Sequence, residues 1–177
     1  RRDPSQFFQK ERRMRKVAIY PGSFDPFTKG HQNIIERGVR VFGQVVVAVA
    51  HNISKKTIFT LEERVDLLNE IFRGREDVKV DYFGGLLVEY AKKMGTNVVL
   101  RGMRTVSDFE YELQMALANK TLSPELETVF MVTDSEFSHI SSSVIREVVS
   151  LGGSAVNMVP EIVEVKLREK LLQVRGD

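Results

Sequence analysis

The stretch Tyr20-Pro21-Gly22-Ser23-Phe24-Asp25-Pro26-Phe27-Thr28-Lys29-Gly30-His31 decides how the chain reads. Just ahead of it, Val17–Tyr20 is a short apolar, β-rich run that predicts a strand stopping at Pro21-Gly22. A loop rich in Gly and Pro follows, and a helical pattern opens around Gly30-His31 and runs to about residue 42. Glycine permits close approach of a ligand to backbone, and the free amides of a helix N-terminus attract phosphate. A histidine in that first helical turn would face whatever anion sits there. A Gly-His pair by itself reads as a surface histidine after a plain turn. The whole string, placed where a strand hands over to a helix, reads as a phosphate-handling loop.

The same alternation repeats along the chain. Val45–Ala50 is a continuous apolar run, as expected of a strand buried on both faces. Val78–Tyr82, Val98–Leu100 and Thr128–Val132 read as three more strands. Helical patterns lie between and after them, near 61–73, 86–94, 107–121, 142–150 and 161–173. Thr60 with Glu63, and Ser107 with Glu110, have capping-box spacing, and Pro160 precedes Glu161 at the last helix start. Ile162, Val165 and Leu172 suggest the apolar face of that last helix. The expectation is a Rossmann-like, doubly wound, five-stranded parallel sheet with helices on both faces and right-handed crossovers. Ligands of such sheets gather at the C-terminal ends of the strands.

With 177 residues, 42% of them hydrophobic and 28% charged, the composition is that of a globular chain with one compact domain. It contains no run of 18 apolar residues, which argues against a membrane-spanning helix. It has no cysteine, so disulfides, thiolate metal sites and a cysteine nucleophile are excluded. Residues 1–13 hold five of the 26 basic groups and two of the 24 acidic ones, which leaves 14–177 with one more acid than base. The basic excess therefore belongs to the leader and speaks little for nucleic-acid binding. Residues 1–13 read as an expression remnant or upstream extension, with a basic arm for an acidic partner as the alternative. Residues 14–177 read as a single catalytic domain.

Four further clusters sit where strands end. Ser54-Lys55-Lys56 follows the second strand, which makes two lysines plausible phosphate ligands and not only a solvated loop. Gly84-Gly85-Leu86-Leu87 follows the third and reads either as a turn into an apolar helix or as a ligand wall. Arg101-Gly102-Met103-Arg104 follows the fourth; two guanidiniums around a glycine suit bidentate contact with phosphate oxygens. Phe137-Ser138-His139-Ile140-Ser141-Ser142-Ser143-Val144-Ile145-Arg146 joins three hydroxyls to the start of a helix, a nest for a triphosphate tail or else an elaborate N-cap. No GxxxxGKS or GxxxxGKT string is present, which argues against a P-loop kinase. No His or carboxylate cluster has metal-cage spacing, so any Mg²⁺ is expected to be held by substrate phosphates and water.

These segments together resemble the nucleotidylyltransferase superfamily over roughly residues 16–173. The first string is similar to its T/HxGH signature, with Thr28 at the position where many members carry His. That form, the Ser23-Phe24-Asp25-Pro26 string and the ISSS motif at Ile140–Ser143 resemble the phosphopantetheine adenylyltransferases. Gln32-Asn33 departs from the commoner hydrophobic residue and Asp, with little effect expected on chemistry, and His139 stands where an aromatic is commoner. The resemblance implies transfer of the adenylyl group of ATP to 4′-phosphopantetheine, giving 3′-dephospho-CoA and pyrophosphate. It implies His31, Lys55, Ser23 and Arg104 as catalytic residues and Ser23, Lys55, Leu87 and Arg101 as contacts of phosphopantetheine. For ATP it implies Ser23, Phe24, His31, Gly102, Met103, Arg104, Glu112, Phe137, Ser138, His139, Ile140, Ser141, Ser142 and Ser143. Glu112 also reads as a plain helix-face carboxylate, and for His139 and His51 a structural role is favoured.

The implied nucleophile is a phosphate monoester, whose second pKa lies near ~6. It is already dianionic at neutral pH, so no general base is expected, and catalysis reduces to positioning and electrostatic stabilisation. The resemblance further implies a Mg²⁺ cofactor, a cytoplasmic homohexamer and CoA as feedback ligand, with neither nucleic acid nor membrane as partner. Two rival readings are a nucleotidylyltransferase acting on glycerol phosphate or nicotinamide mononucleotide, and a catalytically silent adenine-nucleotide sensor on the same fold.

Overall fold

A computed structural model of the chain describes residues 16–51 and 56–175, the side chains of 172–175 excepted. The strands are β1 (Lys16–Gly22), β2 (Gly43–His51), β3 (Val78–Gly84), β4 (Val98–Met103) and β5 (Glu127–Val132). The helices are α1 (Lys29–Phe42), α2 (Leu61–Ile71), α3 (Leu87–Met94), α4 (Val106–Leu122), α5 (Ser142–Ser150) and α6 (Glu161–Arg175), with a 3-10 turn at Ser135–Phe137. The strands form one all-parallel sheet in the order β3-β2-β1-β4-β5. This is the expected five-stranded, Rossmann-like architecture.

Side chains of β1 and β2 alternate between two apolar cores. Ala18, Tyr20, Val45, Val47 and Val49 enter the larger one, with Ile34 and Ile35 of α1, Leu67 and Leu68 of α2, Ile145 and Val149 of α5, and Val163 and Leu167 of α6. Ile19, Val46 and Ala48 enter the smaller one, with Val88, Tyr90 and Ala91 of α3. Every residue of Val45–Val49 is at most 1% exposed, as the unbroken apolar run requires. Gly38 lets α1 lie close to the sheet: a Cβ there would stand 2.6 Å from Leu100 Cδ2 and 3.2 Å from Val45 Cγ2.

Three local expectations need correction. β1 does not stop at Pro21 but runs through Gly22, with Pro21 opposite Ala48 of β2. The cap of α4 is Thr105 and not Ser107: the Asp108 amide donates to Thr105 Oγ1 (3.2 Å), and Ser107 already lies inside the first turn. The helix starts earlier because Thr105 takes the extended backbone an N-cap needs, φ −135° and ψ 166°. On α6 the fully buried positions are Val163 and Leu167, which extend Val159 at four-residue steps. Ile162 packs against the same core as expected, Val165 is instead 47% exposed, and the side chain of Leu172 lies outside the described residues. The Thr60–Glu63 capping box forms as expected, each side chain accepting from the other residue's amide.

Candidate active site

β1 is paired to β2 along its whole length, but its ladder with β4 is a single pair, Ile19 opposite Val99. Strand order reverses here, since β2 and β3 lie on one side of β1 and β4 and β5 on the other. The C-terminal ends of β1 and β4 therefore part, and a cleft opens at the switch point. A cavity of about 270 Å³ fills it, walled by the β1 loop from Tyr20 to Asp25, Gly30 and His31 of α1, Arg101, Gly102 and Arg104 at the β4 end, and Ile140–Ser143. The loop is tightly shaped: Phe24 is left-handed (φ 48°), and a Cβ on Gly22 would stand 2.9 Å from the Phe24 ring. Such a conformation in a bulky residue persists only where surrounding contacts fix it.

His31 is held in one orientation by its own backbone. Its amide donates to Thr28 Oγ1 (3.2 Å), and its Nδ1 accepts from the Thr28 amide (3.1 Å), a capping box with imidazole as the third-residue acceptor. With Nδ1 occupied as acceptor, the proton of the neutral ring belongs on Nε2. The ring packs edge-on to Phe24 (centroids 5.1 Å apart) and beside Phe27 (5.6 Å). Burial, then the positive charges of Arg104 and Arg101, push its pKa down from 6.5 to about 3. His31 is thus a neutral N–H donor and a poor base. The unfolded chain binds this proton near 6.5 and the folded chain only near 3, so His31 favours folding above that window and loses the benefit as pH falls through it. Following the ring protons by NMR, the free protein should show no titration of His31 between pH 5 and 8. Adding a polyphosphate should raise its pKa, because it offsets the two arginines.

Two arginines of the β4 end are each fixed by a carboxylate from α4. Arg101 donates Nε to Glu112 Oε2 (2.6 Å) and an Nη to Oε1, and its other Nη bridges the parted strands to the Pro21 carbonyl. Arg104 donates to both oxygens of Asp108 (2.9 and 3.1 Å) and to the Ile140 carbonyl (2.8 Å). A guanidinium has five N–H groups. Each arginine thus keeps two for a ligand while its plane is held still. Opposite them, Ser141 caps α5 by accepting from the Val144 amide, and Ser142 Oγ donates to the Pro26 carbonyl (2.9 Å). Arg146 donates to the Asp25 carbonyl and to Ser143 Oγ (3.1 Å). A second, wider cavity of about 860 Å³ adjoins through Pro21–Ser23, Arg101 and Glu112, and is walled further by His51, Phe83, Gly85–Leu87, Tyr111 and Met115. The arrangement is a narrow cationic chamber opening into a broad, more apolar one.

The cytidylyltransferase-like family model matches residues 19–148. A phosphopantetheine adenylyltransferase of Dictyoglomus thermophilum is 50% identical over 153 residues, 86% of this chain and 93% of the relative. One of Desulforudis audaxviator is 51% identical over 162 residues, 92% of this chain and 99% of the relative. The chain belongs to the phosphopantetheine adenylyltransferase family. A solved chain from Vibrio parahaemolyticus, assigned as a nicotinate-nucleotide adenylyltransferase, superposes with TM-score 0.62 over 87% of this chain and 99% of its own, at 16% identity, and shows the fold alone.

For a member of the phosphopantetheine adenylyltransferases, the sequence candidates divide cleanly in space. The narrow chamber gathers Ser23, Phe24, His31, Arg101, Gly102, Arg104, Glu112, Ile140 and Ser141–Ser143. Leu87 lines the wide one, with Ser23, Arg101 and Glu112 shared between the two. Met103, Phe137, Ser138 and His139 stand outside both walls, and His139 is exposed. His51 is exposed at the edge of the wide cavity. Lys55 lies outside the described residues, as does the leader 1–13. Sequence reasoning passed over Tyr20, Asp108 and Arg146 as wall residues. Arg146 had a signal, since it falls one helical turn after Ser143; Asp108 had one in its spacing of four from Arg104. Asn33 clasps Asp134, Nδ2 donating to Oδ2 at 2.7 Å and Oδ1 accepting from the amide at 3.2 Å, which ties α1 to the β5 end.

Proposed function

We propose that this chain transfers the adenylyl group of ATP to 4′-phosphopantetheine, giving 3′-dephospho-CoA and pyrophosphate. One observation carries the reading: the β1–β4 gap gathers Ser23, the Nε2–H of His31, two carboxylate-anchored arginines and the Ser141–Ser143 helix start around a single chamber that opens into a wider cavity. In the proposed step, a phosphate oxygen of phosphopantetheine attacks the α-phosphorus of ATP. A new P–O bond forms, the α–β bridge breaks, and pyrophosphate leaves with the electron pair.

Ser23 and the loop amides position the reacting phosphates. His31 donates to the α-phosphate oxygens, more strongly as charge builds on them. A ring with pKa about 3 takes no proton from the nucleophile, in keeping with a step that needs no general base. Lys55 bridges nucleophile and α-phosphate, Arg101 holds the phosphopantetheine phosphate, and Arg104 with Ser141–Ser143 holds the β- and γ-phosphates. Leu87 borders the pantetheine arm. The remaining family-implied ATP contacts are Met103, Phe137, Ser138 and His139, which line neither cavity.

Mg²⁺ fits this site only through the substrate. Asp25, Asp108 and Glu112 on the chamber wall are each engaged, by the Ile58 and Phe59 amides, by Arg104 and by Arg101. Among the described residues no group of His and carboxylates could cage a metal. A divalent ion would therefore ride on the triphosphate and neutralise its charge. A single domain over 14–177, a cytoplasmic homohexamer and CoA as feedback ligand complete the proposal. Exposed apolar residues of α4 and β5 support contact with further copies: Val106 (78%), Leu117 (60%), Leu122 (58%) and Val132 (62%). Among the described residues no helix is long and apolar enough to cross a membrane. The deciding experiment incubates the protein with ATP, Mg²⁺ and 4′-phosphopantetheine, glycerol phosphate or nicotinamide mononucleotide. Dephospho-CoA and pyrophosphate are expected from the first acceptor alone. Pyrophosphate from another acceptor would reassign the substrate, and tight ATP binding without turnover would favour a sensor.

A further inference from the structure

Arg64, on the second turn of α2, is a buried cation that touches neither cavity. It is 4% exposed, and no carboxylate lies within ion-pairing distance among the described residues. Its donors go to carbonyls of three separate segments: Ser23 (2.7 Å), Ala50 at the end of β2 (3.4 Å) and Thr60 at the cap of its own helix (3.2 Å). These acceptors are all backbone oxygens, reached from Nε and one Nη, and the planar, rigid fork of the guanidinium fixes them relative to one another.

The Ser23 carbonyl matters most. It belongs to the same peptide unit as the Phe24 N–H, and in a trans peptide the two point in opposite directions. With the oxygen drawn toward Arg64, the Phe24 amide faces the opposite way, and Ser23 and Phe24 both wall the chamber. That amide meets no acceptor among the described residues. Phe24 is also the left-handed residue of the loop, and the carbonyl on its far side, Asp25, is gripped by Arg146. The Asp25 carboxylate accepts from the Ile58 and Phe59 amides (3.0 and 2.9 Å), which ties the same loop to the approach of α2. An arginine thus holds each side of the left-handed residue, one from behind the loop and one from the chamber.

We propose that Arg64 is a positioning residue for adenylyl transfer: it holds the Ser23–Phe24 peptide with its N–H presented to a substrate phosphate. This deepens the activity proposed above and rests on it. The test uses the full chain with Arg64→Met, Arg64→Lys and Arg64→Ala, each normalised to folded protein by circular dichroism below its melting point. Loss of alignment by about 1 Å is worth about 10²-fold in rate, so Arg64→Met should lose turnover of that order while the KM for phosphopantetheine changes by less than about threefold. Arg64→Lys should recover part of the rate, since one ammonium reaches one carbonyl at a time. Free guanidinium at millimolar concentration should raise the turnover of Arg64→Ala, and sodium chloride at the same concentration should not. Calorimetry of ATP binding, which needs no turnover, should show about tenfold weaker affinity in Arg64→Met, as expected for about one charge-assisted hydrogen bond misdirected. Folded Arg64→Met with wild-type turnover and wild-type ATP affinity, or equal rescue by both salts, overturns the proposal. If the wild-type protein makes no dephospho-CoA, the activity reading fails, and the ATP affinities still decide the role of Arg64.

Discussion

His31→Ala should turn over about 10²–10³-fold more slowly than the wild-type protein, the usual consequence of removing one donor aimed at developing phosphoryl charge. The ring sits among Phe24, Phe27 and Tyr20 with Nδ1 already spent on the Thr28 amide, so only Nε2–H is left for a ligand. A hydrogen bond that strengthens as the α-phosphorus gains a fifth oxygen affects kcat more than KM. The pH profile separates this role from general base catalysis. A histidine base with an ordinary pKa gives kcat/KM a falling limb below about pH 6.5. A neutral donor with a pKa near 3 leaves the profile without one from His31. Steady-state kinetics at several pH values, at a temperature where both proteins are folded, read both quantities. Turnover within about threefold of wild type would remove His31 from the chemistry.

The sequence was legible where chemistry is local. Strand–loop–helix handovers are written in contiguous residues, so the sheet class and the sites at its strand ends could be read directly. The N-cap at Thr28 and the box at Thr60–Glu63 are likewise three-residue affairs. What could not be read depends on strands parting or on partners far apart in sequence. Nothing in the sequence says that β1 and β4 share a single ladder pair, yet the parting beyond it makes the chamber. Glu112 had two readings because its partner Arg101 sits on another element; only folding shows that it is neither a free helix-face carboxylate nor an unencumbered ATP contact. Arg64 lay inside a segment that reads as helix capping, and its three carbonyl partners span residues 23 to 60. The misplaced start of α4 has a simpler cause. Two cap-like residues, Thr105 and Ser107, compete within one turn, and the backbone angle that selects Thr105 is a tertiary outcome.

The pair Arg101–Glu112 makes the second large prediction, one that sets stability against activity. Both side chains are mostly enclosed, 27% and 11% exposed, on the partition between the two cavities. Glu112→Ala leaves Arg101 with the Pro21 carbonyl but no counter-charge. Removing one partner of a buried pair costs about 3–5 kcal/mol, and the partial exposure of Arg101 places this case near about 3 kcal/mol. For a chain of this size that lowers the melting temperature by roughly 6–12 °C. The double variant Arg101→Met/Glu112→Leu removes both charges and fills their volume with apolar side chains. Such replacements are often neutral in stability, so its melting point should return most of the way to wild type. Activity should not return with it, because the guanidinium that meets the phosphopantetheine phosphate is gone. Calorimetric melting and the dephospho-CoA assay on all three proteins give the answer. If the double variant melts as low as Glu112→Ala, the pair is not what destabilised the single variant. If it regains both stability and turnover, Arg101 serves only the fold, and the phosphate of the acceptor is held elsewhere.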